Sequence, residues 1–170
     1  MLLQSIVGYG VAQNCDFSKN ETDKFTNSRV LYTKPINVIS GKIKVKNTYT
    51  VQKIEMQVKY ENGRHFISLD YHLARGKGRI VATIGDKVIL LLSNGSTVEA
   101  RYLQGIPSYE ARDWVEIFSY NFGISVEDFM LLLEYNITDI RMSAQINPID
   151  FSIDSKIKTT ELFNCINNNK

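Results

Sequence analysis

Cysteine, proline, histidine and tryptophan are all scarce in this chain, with two, three, two and one among 170 residues. Two cysteines are too few for a disulfide-dense scaffold, and without a CxxC spacing they give no support to redox or structural zinc motifs. The two histidines, His65 and His72, lie seven apart. On one regular strand they therefore face opposite sides and cannot share a metal. A strong charge of one sign is missing too: a net charge of +2 with pI near 8.4 is too weak to mark a nucleic-acid-binding domain. No apolar run reaches the roughly 20 residues that a membrane span needs. Internal repeats, low-complexity tracts and linkers are also lacking, so residues 14–170 read as a single β-rich domain.

What is present is ordinary for a folded globule. Hydrophobic residues make up 44% and charged residues 22%, and a chain of this length buries roughly 70% of its unfolded surface. Nine Tyr and eight Phe, with many Val, Ile and Thr, favour strands because branched and aromatic side chains pack well on a pleated surface. Charge is uneven along the chain. Residues 29–59 carry seven bases and one acid, whereas 109–170 carry ten acids and five bases. Mutual attraction of the halves accounts for this, and a basic face for an anionic partner is the sharper alternative.

Turn chemistry sets the expected fold. Asn62-Gly63 and Asn94-Gly95 are type I′ hairpin dipeptides, and Ser40-Gly41 and Gly85-Asp86 are weaker turns. Between them 51–61, 64–73, 79–84, 87–93 and 96–104 have strand length, an antiparallel meander. In 64–73 the odd positions His65, Ile67, Leu69, Tyr71 and Leu73 are mostly apolar and the even ones include Arg64, Ser68, Asp70 and His72, so one face is core. Lys42, Lys44 and Lys46 alternate with Ile43 and Val45 as on a protected edge strand. The unbroken run 88–92 reads as a central strand covered on both faces. Beyond the Ile106-Pro107 turn, 114–122 is a strand with Trp114, Glu116, Phe118, Tyr120 and Phe122 on one side. Ser125-Val126-Glu127-Asp128 resembles a capping box and predicts a short helix over 125–135. Strands at 137–143 and 149–153 and a helix at 159–166 complete an α+β, mostly β domain. Its sheet is expected to be strongly curved or a sandwich, with the C-terminal helix tied to the amino end.

Residues 1–13 read as a signal-peptide remnant or leader: 2–12 are largely apolar and end in small residues ahead of Asn14-Cys15-Asp16, although no Lys or Arg precedes Lys19. That favours export to the periplasm or the extracellular space, with the cytoplasm as the alternative. In an exported chain Cys15 and Cys165 are expected to pair; in a cytosol they would be two reduced thiols.

The candidate chemistry is thin. Ser68, Asp70 and His72 share a strand face and supply the residue types of a hydrolase triad, but neighbours two apart lie roughly 6.5 Å from each other. Arg75-Gly76-Lys77-Gly78-Arg79 places the cations Arg75, Lys77 and Arg79 where they could contact an anion, without the GKS/T ending of a P-loop. Glu110, Asp113 and Glu116 offer carboxylates with no fixed separation. The aromatics Tyr109, Trp114, Phe118 and Tyr120 could form a contact surface, with plain core as the alternative. No metal or cofactor motif is found.

Cys15-Asp16-Phe17, Asn20-Glu21, Asp23 and Phe25-Thr26, together with Ile137-Thr138-Asp139-Ile140-Arg141 and Asn164-Cys165-Ile166, give the two ends a resemblance to small exported bacterial proteins without assigned function. Ala12-Gln13 is similar to the signal-peptide ends of that lineage. The resemblance implies a Cys15–Cys165 disulfide and an exported location, and it supplies no activity. Where a glycine-containing turn often follows the Ile-Arg strand in that group, this chain has Gln145 to Pro148. The expected function is therefore a non-catalytic binding or interaction module of the cell envelope, its partner a protein or glycan. The alternatives are a small hydrolase using His72 with Asp70 and a nucleophile from another strand, and a lipocalin-like carrier with an apolar cavity.

Overall fold

Alternation of apolar and polar residues governs nearly every strand in the computed structural model, which describes residues 15–39, 41, 43–45, 49–74, 84–103, 108–112, 114–143 and 148–170. Among them the chain forms β1 (Phe17–Thr22), β2 (Arg29–Thr33), β3 (Ile36–Asn37), β4 (Ile43–Val45), β5 (Tyr49–Glu61), β6 (Arg64–Ala74), β7 (Lys87–Leu92), β8 (Thr97–Tyr102), β9 (Ser108–Arg112) and β10 (Val115–Ile124). Helix α1 (Val126–Glu134), β11 (Ile137–Met142), β12 (Ile149–Ser152) and α2 (Thr159–Asn167) follow. All strand pairings are antiparallel, in one open, curved sheet ordered β1-β2-β5-β6-β10-β8-β7-β11-β12. Short β3 and β4 extend the β2 side of β5, and β9 lies beside β10 below β8.

One face carries the core. Ile54, Met56 and Val58 of β5, Ile67, Leu69, Tyr71 and Leu73 of β6, and Phe118, Tyr120 and Phe122 of β10 are buried, as are Val88, Leu90 and Leu92 of β7. A flat sheet could not enclose these residues. Five pairings separate β6 from β12, about 24 Å at the usual strand spacing, yet the Tyr71 and Phe151 rings meet edge to face with centroids 6.2 Å apart. Past the end of β12, the Asp154 backbone N–H donates to the Val38 carbonyl at 3.0 Å. The sheet thus curls until its far strand packs over its middle.

The helices cover the same cluster. Ser125 is the N-cap of α1: its Oγ accepts from the Asp128 N–H at 3.0 Å and donates to the Asp128 carboxylate at 2.8 Å, while Glu127 and Asp128 complement the positive helix end. Phe129 and Leu132 then point into the core. Helix α2 buries Phe163, Cys165 and Ile166 and is tied to α1 by Asn164 Nδ2 donating to the Leu133 carbonyl. Cys165 is disulfide-bonded to Cys15, just ahead of β1. The carboxyl-terminal helix and the first strand of the sheet are therefore one covalent unit.

Several expectations need correction. The strand run 87–92 is flanked by β8 and β11 but, among the described residues, covered on one face only, since Leu91 points outward and Ile89 is half-buried. At Asn62-Gly63 both residues have positive φ, as type I′ requires, whereas in the second hairpin only Gly95 does. There Leu92 N–H bonds to Ser96 and Gly95 N–H back to Leu92, a three-residue loop closed by a left-handed glycine. Two short strands were not anticipated: β1, mostly polar, and β2, which buries Leu31. The expected strand 79–84 lies outside the described residues except for Ile84, and the Ile106-Pro107 turn lies wholly outside them.

Candidate functional site

The convex face of β5, β6 and β10 gathers the polar side chains that alternation turns away from the core. Register aligns them in rows: Lys53 opposite His72, Glu55 opposite Asp70 opposite Ser119, and Gln57 opposite Ser68 opposite Asn121. Side chains directly opposite on one face sit roughly 5 Å apart at Cβ and interact. Glu55 accepts from His72 Nε2 at 2.9 Å and is ion-paired with Lys53. Burial pushes the Glu55 carboxyl up, but the Lys53 hydrogen bond and charge and the His72 contact outweigh it, leaving it below its ordinary value. The cross-strand partner of His72 is thus Glu55, not Asp70. The Asp70 Oδ1 atom is buried with no hydrogen-bond partner among the described residues.

One row further, Lys59 reaches across three strands. Its Nζ donates to Ser68 Oγ at 3.2 Å and to Asn121 Oδ1 at 2.9 Å, and it lies 5.2 Å from the centre of the Tyr32 ring. Burial lowers the Lys59 amine below the ordinary lysine value, against the opposing charges of Asp70 and Glu61. The Tyr32 hydroxyl donates to Glu61 Oε2 at 2.8 Å. Burial first, and Glu61 second, push the Tyr32 phenol up to about 12. Tyr32, Lys59, Glu61, Phe66 and Asn121 line a hollow of about 150 Å³.

Lys59 and Ser68 stand at the separation of a base and a nucleophile, but acyl transfer also needs an accessible hydroxyl and an oxyanion hole. Ser68 is only 2% exposed beneath the lysine. Continuous pairing of β6 with both β5 and β10 engages the backbone N–H groups around it. Among the described residues, neither this pair nor His72 is placed as a hydrolase site requires. The carrier reading needs an internal cavity, and the concave face is instead filled: Tyr120 packs against Tyr71 and Tyr102, each with centroids 5.6 Å away. Among the described residues two larger hollows are open grooves, one along Ile89, Leu91, Thr97, Arg141 and Asp150 and one between Arg64, Leu103 and Val126.

The aromatic residues expected on one surface separate. Phe118 and Tyr120 are buried, because even-numbered positions of β10 face the core, while Trp114 precedes the strand and is 82% exposed. Tyr109 belongs to β9, and its side chain lies outside the described residues, as do Arg75, Lys77 and Arg79 and the side chains of the lysine row 42–46.

The most exposed aromatic among the described residues was not anticipated. Phe25, 98% exposed, sits in the tight turn joining β1 and β2. Asp23 Oδ1 accepts from the Phe25 and Thr26 N–H groups, both at 2.8 Å, and these bonds hold its carboxyl below the ordinary value. The Asn27 N–H donates to the Asp23 carbonyl, the Asp23 N–H to the Ser28 carbonyl, and Asn27 adopts a left-handed φ of 54°. The signal was the sequence Asp23-Lys24-Phe25-Thr26, in which an Asp precedes its own turn.

Among the described residues no group of three or more His, Cys, Asp or Glu is placed to hold a metal, and no helix is long and apolar enough to cross a membrane. No family model, curated protein or solved structure matches the chain. The resemblance of the two chain ends therefore identifies no family.

Proposed function

We propose that the chain is a non-catalytic interaction module of the cell envelope, working outside the cytosol and seizing a protein partner with the β1–β2 tip. The observation that carries this reading is Phe25: a large apolar side chain, 98% exposed, on a turn already fixed by Asp23. An anchor presented in its bound conformation loses little conformational entropy on association, the condition under which one aromatic residue dominates an interface. Exposed Lys24 beside it favours a partner pocket with an apolar floor and an acidic rim. The Cys15–Cys165 bond supports a location where disulfides persist.

A photoreactive phenylalanine at position 25, and the same probe at exposed position 156 as control, tests the proposal on an envelope fraction. Position 25 is expected to yield one cross-linked protein, lost on competition with excess unlabelled chain but retained with the Phe25→Ala chain as competitor. No product, or identical products from both positions, overturns it.

A further inference from the structure

We propose that the hollow beside Lys59 captures small aldehydes, the Lys59 amine attacking the carbonyl carbon to form an imine. Four observations converge there. The Lys59 amine is held in place by Ser68 Oγ and Asn121 Oδ1, so it does not sample the rotamers of a surface lysine. Phe66 and the Tyr32 ring supply apolar walls beside it, and the volume of about 150 Å³ equals about five waters of liquid, room for an aldehyde of a few carbons. The Tyr32 hydroxyl, hydrogen-bonded to Glu61, places a proton donor and a carboxylate on the same wall. Burial also favours the uncharged amine, the form that carries the lone pair.

The chemistry balances without an oxidant or reductant. The Nζ lone pair forms a C–N bond while the carbonyl π pair moves to oxygen, which takes up a proton. Nitrogen releases a proton to Glu61 or water. The hydroxyl then leaves as water after a second protonation from the Tyr32–Glu61 wall, the nitrogen lone pair closes the C=N bond, and the nitrogen returns its remaining proton to that wall. Aldehyde and amine give imine and water. A carboxylate-bearing aldehyde is disfavoured, since it would face Glu61.

The test is reductive trapping of the intact chain with acetaldehyde and cyanoborohydride at pH 7.5, followed by peptide mapping. Lys59 is expected to gain an ethyl group severalfold faster than Lys24 or Lys156, because burial favours its uncharged amine and the hollow holds the aldehyde beside it, and to lose that preference in denaturing urea. Tyr32→Phe is expected to slow trapping at Lys59 and to leave Lys24 unchanged. Equal rates at all three lysines in the folded chain, or a Lys59 preference that persists with a bulky naphthyl aldehyde, overturn the assignment.

Discussion

His65 of β6 stacks on Phe129 of α1 with ring centroids 3.8 Å apart and planes 20° from parallel. The Tyr60 ring flanks it at 5.2 Å, and Lys170 Nζ lies 3.5 Å from its Nε2. This single imidazole joins the sheet to both helical segments. Burial, and then the Lys170 charge, hold its pKa at about 4 rather than 6.5.

The sign of the resulting pH dependence follows from proton counting. Between pH 6.5 and 4 the unfolded chain binds the proton and the folded chain does not, so acid favours unfolding. The contribution is complete above pH 6.5, shrinks as pH falls through that window, and changes no further below about 4. Its size is on the order of 2 to 3 kcal/mol. Urea midpoints at pH 7 and 4.5 are expected to fall further for the wild type than for His65→Phe, which keeps the stack and cannot titrate; parallel falls would refute the role of His65.

The Cys15–Cys165 bond closes a separation of 150 residues, for which the chain-entropy model gives up to about 5 kcal/mol. Reduction, or Cys15→Ser, is expected to lower the melting temperature markedly and to loosen α2 and β1 first. Hydrogen exchange with and without reductant reads both effects. Protection lost evenly over the whole sheet would argue against a local staple.

Two aromatic residues six positions apart should behave oppositely. Tyr120→Ala removes a fully buried ring and is expected to cost about 3 to 5 kcal/mol, whereas Trp114→Ala is expected to stay within about 0.5 kcal/mol. Chemical denaturation of the two variants decides the matter.

Tyr102 is fully buried and its hydroxyl has no hydrogen-bond partner among the described residues; burial also raises its phenol pKa. Replacing an unsatisfied buried hydroxyl by hydrogen is neutral or favourable. Tyr102→Phe is therefore expected to match or exceed the wild type in stability by up to about 1 kcal/mol, and a loss of that size would show that the hydroxyl is satisfied in solution.

Much of this molecule was written in local pattern. Period-two alternation in β6, the Asn62-Gly63 turn and the Ser125 cap depend on residues a few positions apart, and each reappears where local sterics and hydrogen bonding place it. Both helices and most strands follow for that reason. The short strands β1 and β2 did not, because β1, mostly polar, is held by pairing with β2 and by the Cys15–Cys165 staple, and β2 by pairing with β5, so distant partners rather than a long local period place them.

Tertiary structure alone decided what lies beside what. Alternation puts Phe118 and Tyr120 on one face, but only curling of the sheet makes that face an interior rather than a contact surface. Likewise Ser68, Asp70 and His72 share a strand face in the sequence, yet diagonal contacts across the β5–β6 pairing give His72 to Glu55 and Ser68 to Lys59. Local chemistry fixes which way a side chain points; long-range pairing fixes its partner, because register between distant strands is set by the collective fit of the core and not by any one residue.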